Sequence, residues 1–327
     1  MSNLRWGILS TANIGRKVIP GIAAADRCTV VAVASRDFER GRAFAGELHI
    51  PRVYSSYEAL LADPEVDAVY IPLPNHLHLP WTLAAIRAGK HVLCEKPLAT
   101  SSADAETMLR AAEDGGVRRM EAFMYRLHPS WLAVRELLAA GRIGRLIAVQ
   151  SWFSFYNDDP GNIRNIREFG GGALFDIGCY TINLSRMLFG SEPRRVEGSV
   201  VRDPASGVDV SAAGLLEFET GAATFACSMR AENDQRVHIY GTDGRISIEI
   251  PFNIPPDLPT RILLTAGGDP PVNPSTETIT FAPADAYACE AAAFAAAVLN
   301  GGPLPTPIDD AVGNLRVIER LLATAGG

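Results

Sequence analysis

A chain of 327 residues, 47% hydrophobic and 20% charged, is long enough for about two domains and too balanced in composition for a disordered tract. Its formal net charge of -7, with no basic run, disfavours nucleic acid as a partner. No apolar run approaches the ~18 residues of a membrane span and no basic segment leads into an apolar core at the amino terminus, which points to a cytoplasmic protein without a membrane partner. The cysteines Cys28, Cys94, Cys179, Cys227 and Cys289 are scattered, odd in number and without a Cys-x-x-Cys pair, so they read as reduced thiols rather than a disulfide framework or zinc site.

The first part alternates apolar runs with helical patterns: LRWGILS, TVVAVAS, AVYIPLP, HVLCEKP and RRMEAFM stand between amphipathic segments. This is the rhythm of a βαβ fold, and strands apolar almost throughout fit a parallel sheet covered on both faces. Residues 1–122 are expected to be doubly wound. From Leu146 the rhythm changes, with LIAVQSWFSF, RRVEGSVVR, AGLLEFETGAATFACSMRA and RVHIYGTDGRISIEI joined by turn residues, the pattern of hairpins. Pro251 to Pro259 reads as a loop, and the segments from Ala286 and from Asp310 read as helices. Residues 123–327 are expected to form an α+β domain with an open, mostly antiparallel sheet, the last helix being free to pack back on the first domain.

The stretch from Trp6 to Pro20 sits where a dinucleotide loop belongs. A G-x-G-x-x-G fingerprint uses its glycines for a tight turn, for close approach to the pyrophosphate and for helix packing. Here those places hold Ser10, Ala12 and Gly15. Small side chains still permit a phosphate to approach, and Ser10 and Thr11 add hydroxyls beside a helix start; a plain strand-to-helix turn would use the same residues. Where an NAD site places an acid after the second strand, this chain has Ser35 and Arg36, with Arg40 one turn later. A guanidinium there is a forked receptor for a 2'-phosphate. NADP(H) is therefore the expected cofactor, while Asp37 leaves NAD(H) open and Ser35 or Asp37 could equally be a helix cap.

Lys96, in CEKP, ends an apolar strand at the sheet edge where ligands of open α/β folds bind. Partial desolvation there would prepare it to exchange a proton with a hydroxyl. Lys96-Pro97 belongs to the one class of peptide bond that readily becomes cis. Asp176, Tyr180 and Asn183 in GGGALFDIGCYTINLSRMLFG stand at i, i+4 and i+7, a polar stripe that should face a cavity. Tyr180 can move a proton, Asp176 can orient a hydroxyl, and Asn183 can fix another. His76 and His78, two residues apart without acidic or cysteine partners nearby, read as a loop rather than a metal site; Leu73, Pro74 and Asn75 in the same loop are placed to meet a nicotinamide ribose.

Together these segments resemble the Gfo/Idh/MocA family, that of glucose-fructose oxidoreductase and inositol dehydrogenase. The likeness covers essentially the whole chain: Trp6 to Gly15, LPNHLH, CEKPLA, FMYRLHP, GGGALFDIGCY and VHIYGTDGRISIEIPF stand in the family's order and spacing, departing from it at Ser10 and Ala12. The resemblance implies a Rossmann domain, a catalytic domain whose open sheet often forms a dimer face, and a nicotinamide cofactor. It places the family's Glu-Lys-Pro lysine on Lys96 and its later aspartate on Asp176, with Tyr180 where a histidine is usual. That tyrosine is similar to the glucose-fructose oxidoreductase, dihydrodiol dehydrogenase and D-xylose dehydrogenase branch, which favours NADP(H) and sugars or cyclic diols. Arg164 is similar to an arginine that lies near the nicotinamide.

The expected site thus has Lys96, Asp176 and Tyr180 as catalytic groups and no metal. Its expected cofactor contacts are Ser10, Thr11, Ala12, Asn13, Ile14, Ser35, Arg36, Arg40, Leu73, Pro74, Asn75, His78, Glu95, Lys96 and Arg164. Its expected substrate contacts are Lys96, Tyr125, Arg126, Phe155, Asp176, Tyr180 and Asn183. The expected activity is hydride transfer between NADP(H) and a sugar or related polyol by a homodimer or larger homo-oligomer. The alternatives are a dihydrodiol or diketone oxidoreductase, with an apolar wall from Trp152, Phe153, Phe155 and Tyr156, and a non-catalytic ligand-binding member of the fold.

Overall fold

Apolar side chains leave strand β1 (Leu4–Leu9) on both faces, and Leu4, Trp6, Ile8 and Leu9 are all buried. Such a strand is stable only with cover above and below. The computed structural model describes residues 3–269, 273–307 and 309–324. It places β1 inside a parallel sheet with β2 (Cys28–Ala34), β3 (Arg52–Tyr54), β4 (Ala68–Ile71), β5 (His91–Glu95) and β6 (Arg119–Ala122). The order of the six strands is β3-β2-β1-β4-β5-β6, every pairing parallel. The winding reverses between β1 and β4, and ligands of such sheets bind beyond the carboxyl ends of the strands at that point. Helices α1 (Gly15–Ala24), α2 (Phe38–Glu47), α3 (Tyr57–Leu61), α4 (His78–Arg87) and α5 (Ser102–Asp114) connect the strands. Three of them begin on their own caps: Asp37 accepts from Arg40 N at 3.0 Å, Ser56 from Ala59 N at 3.1 Å, and Ser101 from Asp104 N at 3.1 Å.

Two compact units divide the chain, Met1–Leu127 with Ala286–Val312, and His128–Asp285 with Gly313–Gly327. The segment that returns to the first unit is thus α8 (Ala286–Asn300), one helix earlier than the sequence led us to expect. The reason lies in its composition. A helix apolar nearly all round must be covered, and its Ala291, Phe294 and Ala295 fill the same core as Trp6, Val18, Ile19 and Ile22, with the Trp6 and Phe294 rings 5.4 Å apart. Helix α9 (Asp310–Thr324) starts in the first unit and continues in the second.

The second unit holds α6 (Pro129–Ala139), β7 (Leu146–Tyr156), α7 (Cys179–Phe189), β8 (Arg195–Arg202), β9 (Asp209–Glu217), β10 (Ala222–Ser228), β11 (Arg230–Gly241), β12 (Gly244–Ile248), β13 (Thr260–Asp269) and β14 (Asn273–Phe281). Its sheet has eight strands in the order β14-β13-β12-β11-β7-β10-β9-β8. All pairs are antiparallel except β7 with β10, so the first strand of the unit lies inside the sheet. Strands β13 and β14 were not expected; Ile262 and Leu264 are buried in alternation, a signal obscured by the prolines before it and the threonines after it. Among the described residues no helix is long and apolar enough to cross a membrane.

Arg126 and Asp310 meet at 2.9 Å with side chains only 9% and 10% exposed, tying the segment after β6 to the start of α9. Removing one member of a buried pair leaves the other charge poorly solvated. Asp310→Ala should lower stability by about 3 kcal/mol in urea unfolding, and the double change Arg126→Met with Asp310→Leu should recover most of that loss.

Candidate active site

Between β1 and α1 the chain turns sharply, and Ser10 makes the turn at φ +121°, a conformation that glycine adopts freely and other residues rarely. The first fingerprint position therefore has a glycine's backbone and a serine's side chain. Its Oγ accepts the Ala12 N–H at 3.3 Å, a local turn bond that glycine lacks. Gly15 is required for packing instead, since a Cβ there would lie 3.0 Å from Phe44 and 3.2 Å from Ile19. No side chain caps α1 and no acid occupies its first turn, so its positive end suits an anion such as a pyrophosphate. Of the neighbouring residues, Thr11 is buried and offers its carbonyl to Arg40 Nη2 at 3.4 Å, the Asn13 amide accepts from Arg16 at 3.0 Å, and Ile14 packs on the core.

After β2 the expected phosphate readers separate. Ser35 is buried beneath Gly41, where an added Cβ would meet it at 3.0 Å, so its side chain packs rather than reads a ligand. Arg36 and Arg40 are exposed. Arg36 hydrogen-bonds the Tyr57 phenol, opposing the rise that burial imposes on it, and Tyr57 stands edge-on to Trp81 at 4.7 Å. Asp37 is engaged as the cap of α2, which leaves guanidiniums to dominate the charge there.

The loops after β4 and β5 are tied together by His78. Expected as a cofactor contact, its ring is completely buried between the carbonyls of Leu73, at 2.7 Å, and Pro97, at 2.9 Å. Burial pulls its pKa down to about 4, so the neutral ring donates a single N–H. His78 thus fixes the backbone of both loops, its two ring nitrogens taken up by the Leu73 and Pro97 carbonyls. Leu73 is buried as well, whereas Pro74 and Asn75 lie partly open at the start of a short turn. Lys96, partly exposed, follows β5 with its peptide bond to Pro97 cis. Glu95 accepts the Tyr70 hydroxyl at 2.5 Å and the Lys96 N–H at 3.3 Å. Below it on α8, burial and the charge of Glu95 push the Glu290 carboxyl well above its ordinary value. Tyr125, fully enclosed and edge-on to Phe123, and Arg126, paired with Asp310, both belong to the core rather than to a substrate surface.

In the second unit the polar stripe is rearranged. Leu174–Gly178 forms a π turn ahead of α7, and this wider turn breaks the i, i+4, i+7 alignment. Asn183 lies fully buried in α7, where the expected stripe would have left it open. Asp176 is part exposed, whereas Tyr180 is buried, at 6% exposure. The Asp176 carboxylate holds Arg164 Nε at 2.6 Å, and that guanidinium lies over the Phe155 ring at 5.8 Å. Tyr180 is fixed by rings: Phe153 at 5.6 Å and Phe252 at 5.4 Å surround it, and those two stack on each other at 5.1 Å. Such aromatic contacts fix a phenol's orientation.

Residues 4–123 match the model of an oxidoreductase family with an NAD-binding Rossmann fold, and residues 131–247 match the GFO/IDH/MocA C-terminal domain. The chain belongs to the Gfo/Idh/MocA family. An uncharacterized oxidoreductase of Rhizobium meliloti is 42% identical over 99% of this chain and 98% of its own. A D-xylose 1-dehydrogenase (NADP⁺) of Haloferax volcanii is 40% identical over 98% of this chain and 97% of its own. A 3-ketoreductase from Actinomadura kijaniata, solved with NADP and TDP-benzene, superimposes with a TM-score of 0.89 at 30% identity, covering 99% of this chain and 98% of that one. As a Gfo/Idh/MocA member the protein is a nicotinamide-dependent oxidoreductase.

The residue of this Gfo/Idh/MocA chain that sequence reasoning missed is Asp209, on β9. It is 2% exposed, and its Oδ2 accepts the Leu174 N–H at 2.7 Å. An aspartate at the start of a strand gives no sign in sequence of a helix end beside it.

The Ser10 geometry yields a direct test. Ser10→Gly should raise thermal stability, by about 1 kcal/mol, because relief of the positive φ exceeds the loss of one turn hydrogen bond; calorimetry would read it. An unchanged or lower midpoint would show that the hydroxyl outweighs the strain.

Proposed function

We propose that the protein transfers a hydride between NADP(H) and a carbinol or carbonyl carbon of a sugar or related polyol, with Tyr180, Lys96 and Asp176 as its working groups. The observation that carries this reading is the grouping of an uncapped α1, exposed Arg36 and Arg40, and Lys96 beyond the carboxyl ends of β1, β2 and β5. A 2'-phosphate is the chemistry that two neighbouring guanidiniums recognise best. The xylose dehydrogenase and the ketoreductase support the same class.

Bound nicotinamide supplies or accepts the hydride. The residues of the chain manage the proton and the pose. Tyr180 Oη, its ring held by Phe153 and Phe252, exchanges the proton of the reacting hydroxyl. The Lys96 ammonium stabilises negative charge on that oxygen as the proton leaves. Asp176, pinned by Arg164, accepts a hydrogen bond from a neighbouring hydroxyl and so selects the carbon presented. This arrangement favours hydroxylated substrates over an apolar diol, because Phe155 is already covered by Arg164 and Phe153 is spent on Tyr180.

We further place the protein in the cytoplasm as a homodimer or larger homo-oligomer. Support comes from five free cysteines, which suit a reducing compartment, and from Val201 and Tyr240, apolar and exposed on strands of the large sheet. Sedimentation at micromolar concentration would report a monomer if the assembly is wrong.

Two measurements check the reading. In parallel titrations, Arg36→Ala should weaken NADP⁺ at least about tenfold, some 1.4 kcal/mol, while NAD⁺ changes little. Against the sugar that gives the best turnover, Tyr180→Phe and Lys96→Met should each lower kcat by about a hundredfold or more. Wild-type turnover in both variants would reject the assigned roles.

A further inference from the structure

The segment that carries Asp176 and Tyr180 does not cap itself. Ala173 precedes its first turn, and among the described residues no side chain of the segment accepts its leading N–H groups, which need partners wherever a helix start is buried. The acceptor arrives from strand β9. Asp209 takes the Leu174 N–H at 2.7 Å, and the Ala173 N–H also bonds its carboxylate. Gly172, at φ +128°, is shaped for this carboxylate, since a Cβ would lie 2.0 Å from Asp209 Oδ1. The same turn holds Arg164: Gly172 N donates to the Arg164 carbonyl at 2.9 Å, and a Cβ on Gly171 would lie 2.4 Å from that oxygen. One buried carboxylate therefore underlies the helix start, the glycine run and the backbone of Arg164.

We propose that Asp209 is a positioning residue of the active site: its ionised carboxylate caps the start of the π turn and α7, holding Asp176 and Tyr180 in place, and its protonation releases them. The inference rests on the roles given above to Tyr180 and Asp176. An ionised carboxylate only accepts hydrogen bonds, whereas a protonated one turns a donor toward the helix N–H groups. Asp209 is pushed up to about 6, chiefly by burial, with the Leu174 N–H and Arg202 pulling the other way. The groups around it are few. Arg202 is its register partner on β8, the Cys227 thiol on β10 is itself raised by burial and by the charge of Asp209, and on the helix side Asp176 acts on that same thiol.

The sign of the linkage separates this device from acid unfolding. A carboxyl whose folded value lies above its ordinary 3.8 binds its proton earlier in the folded chain than in the unfolded one. Between about 6 and 3.8, acidification thus favours the folded state through this group. Local release of the cap should accompany undiminished global stability.

The test measures kcat from pH 5 to 8.5, the thermal midpoint over the same range, and backbone amide exchange of residues 173–178 at pH 7.5. Wild type, Asp209→Asn and Asp209→Ala are compared. The wild type should lose kcat with a midpoint near pH 6 without a matching fall in thermal midpoint. Asparagine presents one acceptor and one donor face, as the protonated acid does, but does not titrate, so Asp209→Asn should hold kcat near the wild type's acid level from pH 5 to 8.5 and show no acid limb. Exchange at 173–178 should rise about tenfold in Asp209→Ala, with β7 and β10 unchanged. An acid limb that persists in Asp209→Asn, or wild-type exchange in Asp209→Ala, overturns the proposal. If Asp209→Ala does not fold, the acid limb of Asp209→Asn decides alone. If the wild type turns over no sugar with either nucleotide, the functional reading fails, and amide exchange still decides whether Asp209 holds the helix start.

Discussion

The N–H groups that lead a helix must be met, and the helices of this protein meet that requirement in different ways. Where the helix is scaffolding, the preceding residue supplies the acceptor, as Asp37, Ser56 and Ser101 do for α2, α3 and α5. The starts of α1, of α4 and of the π turn before α7 have no such residue. Helix α1 keeps its positive end for an anion, and the π turn before α7 borrows a carboxylate from β9. Beside the locally uncapped starts of α1 and of the π turn the backbone is unusual, with Ser10 and Gly172 both at positive φ.

Buried polar groups extend the same logic to the loops. His78 joins the carbonyls of Leu73 and Pro97, so the loops after β4 and β5 move as one body. Lys90 does likewise for the turn after α3, donating to the carbonyls of Asp63 and Val66 at 2.7 Å each. In the second unit Asn165 accepts from Arg230 at 3.1 Å and donates to the Asp159 carbonyl at 2.8 Å, which anchors the segment carrying Arg164. Each of these side chains is polar yet enclosed, and each satisfies backbone atoms that no regular element reaches. Rigid support of this kind is what a pinned carboxylate such as Asp176 requires.

Much of this was legible in the sequence, because the signals were local. Apolar strands between amphipathic helices announced the parallel sheet, and the hairpin signals after Leu146 announced the antiparallel one. What the sequence concealed depended on contacts distant along the chain. Asp209 meets Leu174 across 35 positions, and neither residue carries a mark of the other. The π turn ahead of α7 changed how Asp176 lines up with Tyr180 and Asn183, a change that no regular helical period contains. Tyr125, Arg126 and His78 sit in motifs that also carry ligand-facing residues, and only burial distinguishes the residues that hold a loop from those that use it. At Ser10 the residue type argued against a glycine-like turn that the backbone nonetheless makes.

The return of α8 has a consequence for the order in which the protein is made. Trp6 emerges from the ribosome near the beginning of synthesis, but Phe294, which covers it, emerges only when some nine-tenths of the chain has been translated. The nascent dinucleotide-binding half therefore waits with an apolar groove beside α1 while the whole of the large sheet is produced. Amino-terminal domains generally fold first during synthesis; this one is completed last. A chain that stops before Ala286 would expose that groove to whatever apolar surface the cell offers, which makes such fragments natural clients of chaperones.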